Sequence, residues 1–284
     1  MNSHRVSYAT FDHFDEFAAS LPGTSLIVTP FALPPFSAQT TLLRFDEMVV
    51  TTGRATPLMF TGSLSAGSAR LVLPLEKTQA LRLNGLMVQT GDVAVFGAGT
   101  SYDGAGCHGV NWASLVLPSE TLQPLLKGSC QSSLRRAGAH AVLHASPRNW
   151  AEATSLLTAA AQIGLEDPQA LTVAEAMRGL RADLLEALRE LLATARQSDA
   201  ARSKAIVQGR QHIVRAVEDL LKAEGGEIRS AKDLCTAIDV TPKRLRAAIE
   251  MSFGIGPEHY LELRRLAMEC AVPGIVPRHP STPE

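Results

Sequence analysis

Ser230-Ala-Lys-Asp-Leu-Cys-Thr-Ala-Ile-Asp-Val-Thr-Pro-Lys-Arg-Leu-Arg-Ala-Ala-Ile-Glu-Met-Ser-Phe-Gly254 holds two helix starts separated by a short turn. Ser230 suits an N-cap, because its hydroxyl accepts from a backbone N–H that the first helical turn leaves without a partner. Asp233 stands three residues on, where its carboxylate can answer the cap as in a capping box. The spacing predicts a short helix over AKDLCTAI, with Leu234 and Ile238 turned inward. Asp239-Val240 makes the turn. Thr241 then caps a second helix that opens on Pro242, where the missing N–H costs nothing. That helix runs to Gly254, with Leu245, Ala248, Ile249 and Phe253 on its buried face. Lys243, Arg244, Arg246, Ala247 and Glu250 take the open face. Two short helices joined by a tight turn, the second opening with exposed cations, make a helix-turn-helix unit.

Such a helix fits the major groove of double-stranded DNA. Its first turn meets base edges, while its N-terminal N–H groups and cationic side chains meet phosphates. Arg and Lys read guanine N7 and O6, a small Ala247 accepts a thymine methyl, and each bidentate contact contributes roughly 1–3 kcal/mol of discrimination. Just upstream, Ile206, Val207, Ile213, Val214, Val217, Leu220 and Leu221 repeat at helical spacing and predict a helix ending near Gly225 and Gly226.

Further from the motif the texture changes twice. Ser25 to about Pro118 consists of short β-branched or apolar runs broken by Gly, Pro, Ser and Thr. Strands are expected at Ser25–Thr29, Thr41–Thr52, Ala69–Leu75, Leu81–Val88, Asp92–Phe96 and Trp112–Leu117, closely spaced enough for an antiparallel sandwich or small barrel. From about Asn149 to Ala195 the period is helical. Leu156, Leu157, Ala160 and Ile163 share one face, and Leu180, Leu184, Leu188 and Leu191 form a second stripe, with Gly164–Pro168 expected to interrupt the two helices. A leucine stripe between two domains serves a core or a dimer surface equally well. Thr194 to Ser203 is small and polar and reads as a linker or a frayed helix end.

The helix-turn-helix resembles the first such unit of AraC-type (AraC/XylS) transcriptional regulators. In that family a Ser or Thr caps the recognition helix, a Leu follows four residues later and an aromatic or aliphatic residue four after that; Thr241, Leu245 and Ile249 match. A Gly-x-x-Pro-x-x-Tyr-Leu-x-x-x-Arg-Leu string then leads into a connecting helix, and Gly254, Pro257, Tyr260, Leu261, Arg265 and Leu266 supply it. The match spans about 60 residues. It implies base-reading positions at Lys243, Arg246 and Ala247, with Thr241 as the cap and Arg244 nearer the DNA backbone. Arg264 and Arg265 on the connecting helix fall where phosphate contact and plain solvation are equally open readings. Also implied are a cupin-like sensor domain, in which Gly91–Thr100 looks like a typical strand and turn, and a helical dimerisation region. The partners implied are double-stranded DNA, a small-molecule effector whose pocket residues stay unassigned, a second copy of the chain in a homodimer, and RNA polymerase.

The resulting expectation is an α+β chain. Residues 1–148 form an N-terminal cupin-like antiparallel β domain, 149–202 a helical connector and dimerisation region, 203–270 an all-α, homeodomain-like helix-turn-helix domain, and 271–284 a disordered tail. The family adds a second helix-turn-helix, roughly another 30–40 residues for a unit of this size. Here Cys270 is followed by Ala-Val-Pro-Gly-Ile-Val-Pro-Arg-His-Pro-Ser-Thr-Pro-Glu, too short and Pro-rich to fold, so the second reading head is expected to be absent. A rival reading keeps ligand binding or dimerisation and drops DNA binding.

Composition narrows the alternatives. At 284 residues the chain has room for two cores. The formal net charge is -1, and from residue 202 onward 13 Lys and Arg face 11 Asp and Glu. DNA binding therefore rests on a local cluster and not on bulk charge. Cys107, Cys130, Cys235 and Cys270 are far apart, form no CxxC pair, and read as reduced, mostly buried thiols. No signal peptide and no membrane-length apolar run is visible, so a cytoplasmic protein without a membrane partner is expected. His108 beside Cys107 is not read as a metal ligand, because no His-x-His accompanies it, and no metal or cofactor is expected. Tyr102, Asp103 and Trp112 could line an effector pocket, but are read as ordinary turn and core residues. No nucleophile elbow, P-loop, dinucleotide fingerprint or zinc-protease helix occurs, and an enzyme, including a cupin-type one, is not expected.

Overall fold

The structure is a computed structural model that describes residues 6–32, 35–76, 81–126, 139–167, 169, 173–197, 204–224, 228 and 230–271. Side chains are described for all of these except 204–208 and 224. The expected tail over 272–284, the linker residues 198–203, Gly225, Gly226 and Cys130 lie outside this set.

The strands are β1 (Val6–Phe11), β2 (Thr24–Pro30), β3 (Ala38–Phe45), β4 (Met48–Ala55), β5 (Leu58–Leu64), β6 (Ser68–Pro74), β7 (Leu81–Leu83), β8 (Leu86–Val88), β9 (Asp92–Phe96), β10 (Ser101–Gly106), β11 (Val110–Pro118), β12 (His140–His144) and β13 (Arg196–Gln197). The helices are α1 (Phe14–Ser20), α2 (Ser119–Leu122), α3 (Pro147–Glu166), α4 (Ala174–Thr194), α5 (Lys204–Glu224), α6 (Ala231–Ala237), α7 (Pro242–Phe253) and α8 (Pro257–Cys270). Two of the expected strand runs are hairpins. Thr41–Thr52 divides between β3 and β4, and Leu81–Val88 between β7 and β8, where Asn84 and Gly85 take the positive φ that a tight turn needs.

Strands β1-β3-β4-β11-β6-β9-β12-β13 form one sheet in that order, and β2-β5-β10-β7-β8 form a second. All the ladders between these strands are antiparallel. Among the described residues no ladder joins the two sheets, and each keeps two edges. This overturns the cupin-like expectation, because a cupin requires closure into a barrel and these sheets stay open. What stands is an α+β chain with an N-terminal β-sheet domain and a C-terminal helical domain.

Strand alternation sorts the side chains into layers. On β6, Ala69, Leu71 and Leu73 join the core under α3 and α4, while Arg70 and Val72 turn toward the second sheet. Trp150, Ala153, Leu157 and Ala160 of α3 pack on that outer face, together with Leu184, Leu188 and Leu191 of α4. The leucine stripe is thus core of this chain. Ile163, expected on the buried face, is 43% exposed, and α3 runs through Gly164 to Glu166. Between the sheets lie Phe17, Leu26, Val28, Leu58, Leu83, Phe96 and Val110. A third core holds the apolar faces of α5–α8 against Met59 and Ala105 of the second sheet, which seats the helical unit directly on the β domain.

Candidate nucleic-acid interface

The two helix starts form as their residues require. Ser230 Oγ accepts from the Asp233 N–H at 3.2 Å and Asp233 Oδ2 accepts from the Ser230 N–H at 2.9 Å, completing the capping box. The turn closes with the Val240 N–H donating to the Cys235 carbonyl at 3.0 Å, over Asp239 at φ 51°, a left-handed position that Asp tolerates better than most residues. Thr241 Oγ1 accepts from the Arg244 N–H at 3.4 Å, and Pro242 opens α7. Leu245, Ala248, Ile249 and Phe253 are buried. Thr241, Lys243, Arg244 and Arg246 are exposed and Ala247 is half-buried, so α7 presents its capped, cationic first turn to solvent.

Arg246 is not idle there. Its Nη1 donates to Glu250 Oε1 at 3.1 Å, one turn along the same helix, with both side chains largely in water. An exposed i,i+4 pair is worth only about 0.3–0.5 kcal/mol, less than a bidentate base contact returns, so DNA can take the guanidinium from Glu250. Arg265 is exposed on α8.

Arg264 departs from both sequence readings. It is buried, with Nε donating to Glu218 Oε1 at 3.0 Å, Nη2 to Glu218 Oε2 at 2.9 Å and Nη1 to Thr29 Oγ1 at 3.0 Å. The Tyr260 hydroxyl shares Glu218 Oε1. Burial, and then the Glu218 charge, hold the Tyr260 hydroxyl well above the usual phenol range, so it stays a donor. One carboxylate therefore clamps α5 to α8, and through Thr29 to β2. Committed to that clamp, the Arg264 guanidinium is not presented to phosphate or to bulk water.

The far end of α7 meets the β domain, a contact that nothing in the sequence announced. Gly254 caps the helix at φ +79°, and a side chain there would press on Arg82 and touch Cys107. Ser252 hydrogen-bonds Asp103 on β10, whose carboxyl is pushed up to about 6 by burial against the pull of that bond. Arg215 of α5 bonds the Ser101 hydroxyl. Between α5 and the second sheet lies a polar cleft of about 320 Å³ that includes Ser63, Ser101, Asp103, Arg215, Asp219 and Lys222.

A second void, of about 70 Å³, lies between the sheets. Its wall is apolar apart from Arg70, Tyr102 and Ser114, and it includes Trp112. Tyr102 and Trp112 thus line a cavity and Asp103 a cleft, where the sequence suggested plain core and turn. Among the described residues no cluster of three or more His, Cys, Asp or Glu could hold a metal ion. Cys235 is buried, while Cys107 and Cys270 are exposed, contrary to the expectation of mostly buried thiols. No described helix is long and apolar enough to cross a membrane.

No protein-family model matches the chain, and no curated protein does. Solved structures do match. The AraC-like transcriptional activator CuxR is 14% identical with a TM-score of 0.46, over 93% of this chain and 95% of that one. ToxT from Vibrio cholerae is 9% identical with a TM-score of 0.29, over 79% of this chain and 83% of its own. The EutQ protein of Clostridium difficile is 11% identical with a TM-score of 0.26, over 31% of this chain and 73% of its own.

Proposed function

We propose that this protein is a sequence-specific, DNA-binding transcriptional regulator that responds to a small-molecule effector. The observation that carries this reading is the first turn of α7. Thr241 caps it, Lys243, Arg244 and Arg246 stand exposed on it, and the opposite face is fully committed to the helical core. A helix held by its back and presenting cations around a capped first turn is the arrangement that enters a major groove. Lys243, Arg246 and Ala247 read bases, Thr241 and Arg244 fix the register on the backbone, and Arg265 adds a phosphate contact. Residues 1–148 act as the sensor, 149–202 as the connecting region and 203–270 as the reading unit. The protein works as a homodimer, because two small reading heads on one site add through effective concentration.

The test is selection of pooled oligonucleotides by the purified protein at near-physiological salt, with wild type set against a Lys243→Ala/Arg246→Ala variant. Enrichment of a short motif that the variant loses is the expected result. No enrichment from folded wild-type protein sinks the reading.

A further inference from the structure

Arg70 occupies a position on β6 where the alternation calls for an apolar side chain, since it points between the two sheets with Val72. It is 6% exposed. Its Nη2 donates to the Pro22 carbonyl at 2.8 Å and its Nη1 to the Tyr102 hydroxyl at 3.0 Å, both neutral acceptors. Tyr102 in turn bonds the Thr24 hydroxyl. Arg70 Nε is buried with no partner, and no carboxylate among the described residues pairs with this guanidinium. A buried charge without a counter-charge is costly, and a planar fork of N–H donors matches a carboxylate in shape as well as sign.

We infer that the cavity between the sheets binds a short-chain monocarboxylic acid, its carboxylate paired with Arg70 and its alkyl chain lying among Leu26, Val28, Phe96 and Val110. A single cation on a wall whose other polar side chains are Tyr102 and Ser114 selects one negative charge attached to an apolar body; a dianion would leave charge uncompensated, and a sugar would find too few polar groups. Size sets the chain length. The cavity of about 70 Å³ is about half the roughly 150 Å³ void that accepts benzene, which limits the whole acid, carboxylate included, to the size of acetate or propionate. Tyr102, bonded to Arg70, sits between Ser101 and Asp103 on β10, and these two meet α5 and α7. A carboxylate that draws Arg70 away from Tyr102 therefore acts one residue from both contacts with the reading unit. The inference deepens the regulator reading and rests on it for calling the ligand an effector; the binding itself does not.

The experiment titrates the full chain, without DNA, with the acetate-to-octanoate series and with propionamide as the uncharged control. Binding is followed by thermal melting and by the fluorescence of Trp112, isolated by Trp150→Phe. Acetate or propionate is expected to raise Tm and change the Trp112 signal, with octanoate and propionamide inert, and Arg70→Gln is expected to weaken binding by at least about tenfold, or 1.4 kcal/mol. Should Arg70→Gln fail to fold, Val72→Phe fills the cavity while keeping the arginine, and it too is expected to abolish the response. Equal response to acid and amide, no response to any acid by folded wild type, or undiminished binding by folded Val72→Phe overturns the inference. Because DNA is absent from the assay, failure of the regulator reading and failure of this one are seen separately.

Discussion

The molecule buries two arginines in two different ways. In the helical unit, Arg264 is 6% exposed and fully answered, with both Glu218 oxygens and the Thr29 hydroxyl accepting from it. In the β domain, Arg70 is equally buried but, among the described residues, meets two neutral oxygens and the face of the Tyr102 ring, no carboxylate, and keeps an unpaired N–H. Transfer from water costs both guanidiniums alike, so the difference lies in what offsets it. The Arg264 cluster repays the cost from within the chain and ties α5, α8 and β2 together. Arg70 does not, and that leaves room for a ligand to do so. A paired buried charge is architecture; an unpaired one beside a cavity points outward to a partner.

Substitutions can break or sharpen this contrast. The largest effect is expected from Glu218→Ala, which strands Arg264 without its counter-charge and should cost about 3–5 kcal/mol in urea denaturation. A cost near zero would show that the clamp is not structural.

Asp103, a buried acid on the contact between β10 and α7, carries the next. Its carboxyl titrates near 6 in the folded protein and near 3.8 unfolded, so folded protein holds a proton that the unfolded chain has released between these values. Stability therefore falls as pH rises from about 4 to about 6 and levels off above, by on the order of 3 kcal/mol. Arg215, Glu218, Asp219 and Lys222 line the same cleft, so the comparison is made with Asp103→Asn, expected to flatten that window in denaturation series at successive pH values. An unchanged slope would assign the dependence to other groups.

Arg70→Met is expected to change stability by no more than about 1 kcal/mol, because the loss of two hydrogen bonds is offset by the removal of an unpaired charge. A loss as large as that of Glu218→Ala would make Arg70 architecture after all. Smallest of all, Glu250→Gln should alter stability by only a few tenths of a kcal/mol, since its pair with Arg246 is solvated, while tightening DNA binding by freeing that guanidinium. An unchanged DNA affinity would show that Arg246 does not leave Glu250 in the complex.

Local chemistry was the legible part of the fold. Ser230, Asp233, Thr241 and Pro242 mark helix starts through hydrogen bonds that span three residues, and these formed as their sequence required. The buried face of α7 followed from its period, and the stretch from Leu180 to Leu191 from the same rule, although that rule could not say whether the stripe met its own sheet or a second chain. The exposure of Lys243, Arg244 and Arg246 was legible too. Arg264 was not, because its fate depends on Glu218 and on Thr29, 235 residues away. Strands β1, β5, β10, β12 and β13 lie outside the runs named from the sequence. Of these, β10 is Ser-Tyr-Asp-Gly-Ala-Gly, a poor strand former by composition, and a side chain at Gly104 would collide with the Arg82 carbonyl and the Phe60 ring. Small size there serves packing against neighbouring strands, which no local pattern records.

The sequence by itself determined where the two helices of the turn motif start and stop, which of their faces is apolar, and that a capped cationic turn follows a short helix. These depend on contacts a few residues apart, whose geometry the backbone fixes. Only the tertiary structure decided that the sheets remain open, that α7 rests its far end on β10, that Arg264 is withdrawn into a clamp, and that Arg70 faces a cavity with a donor to spare. Those outcomes arise from pairings between distant segments. Whether a buried charge is answered or left open depends on which distant group arrives beside it.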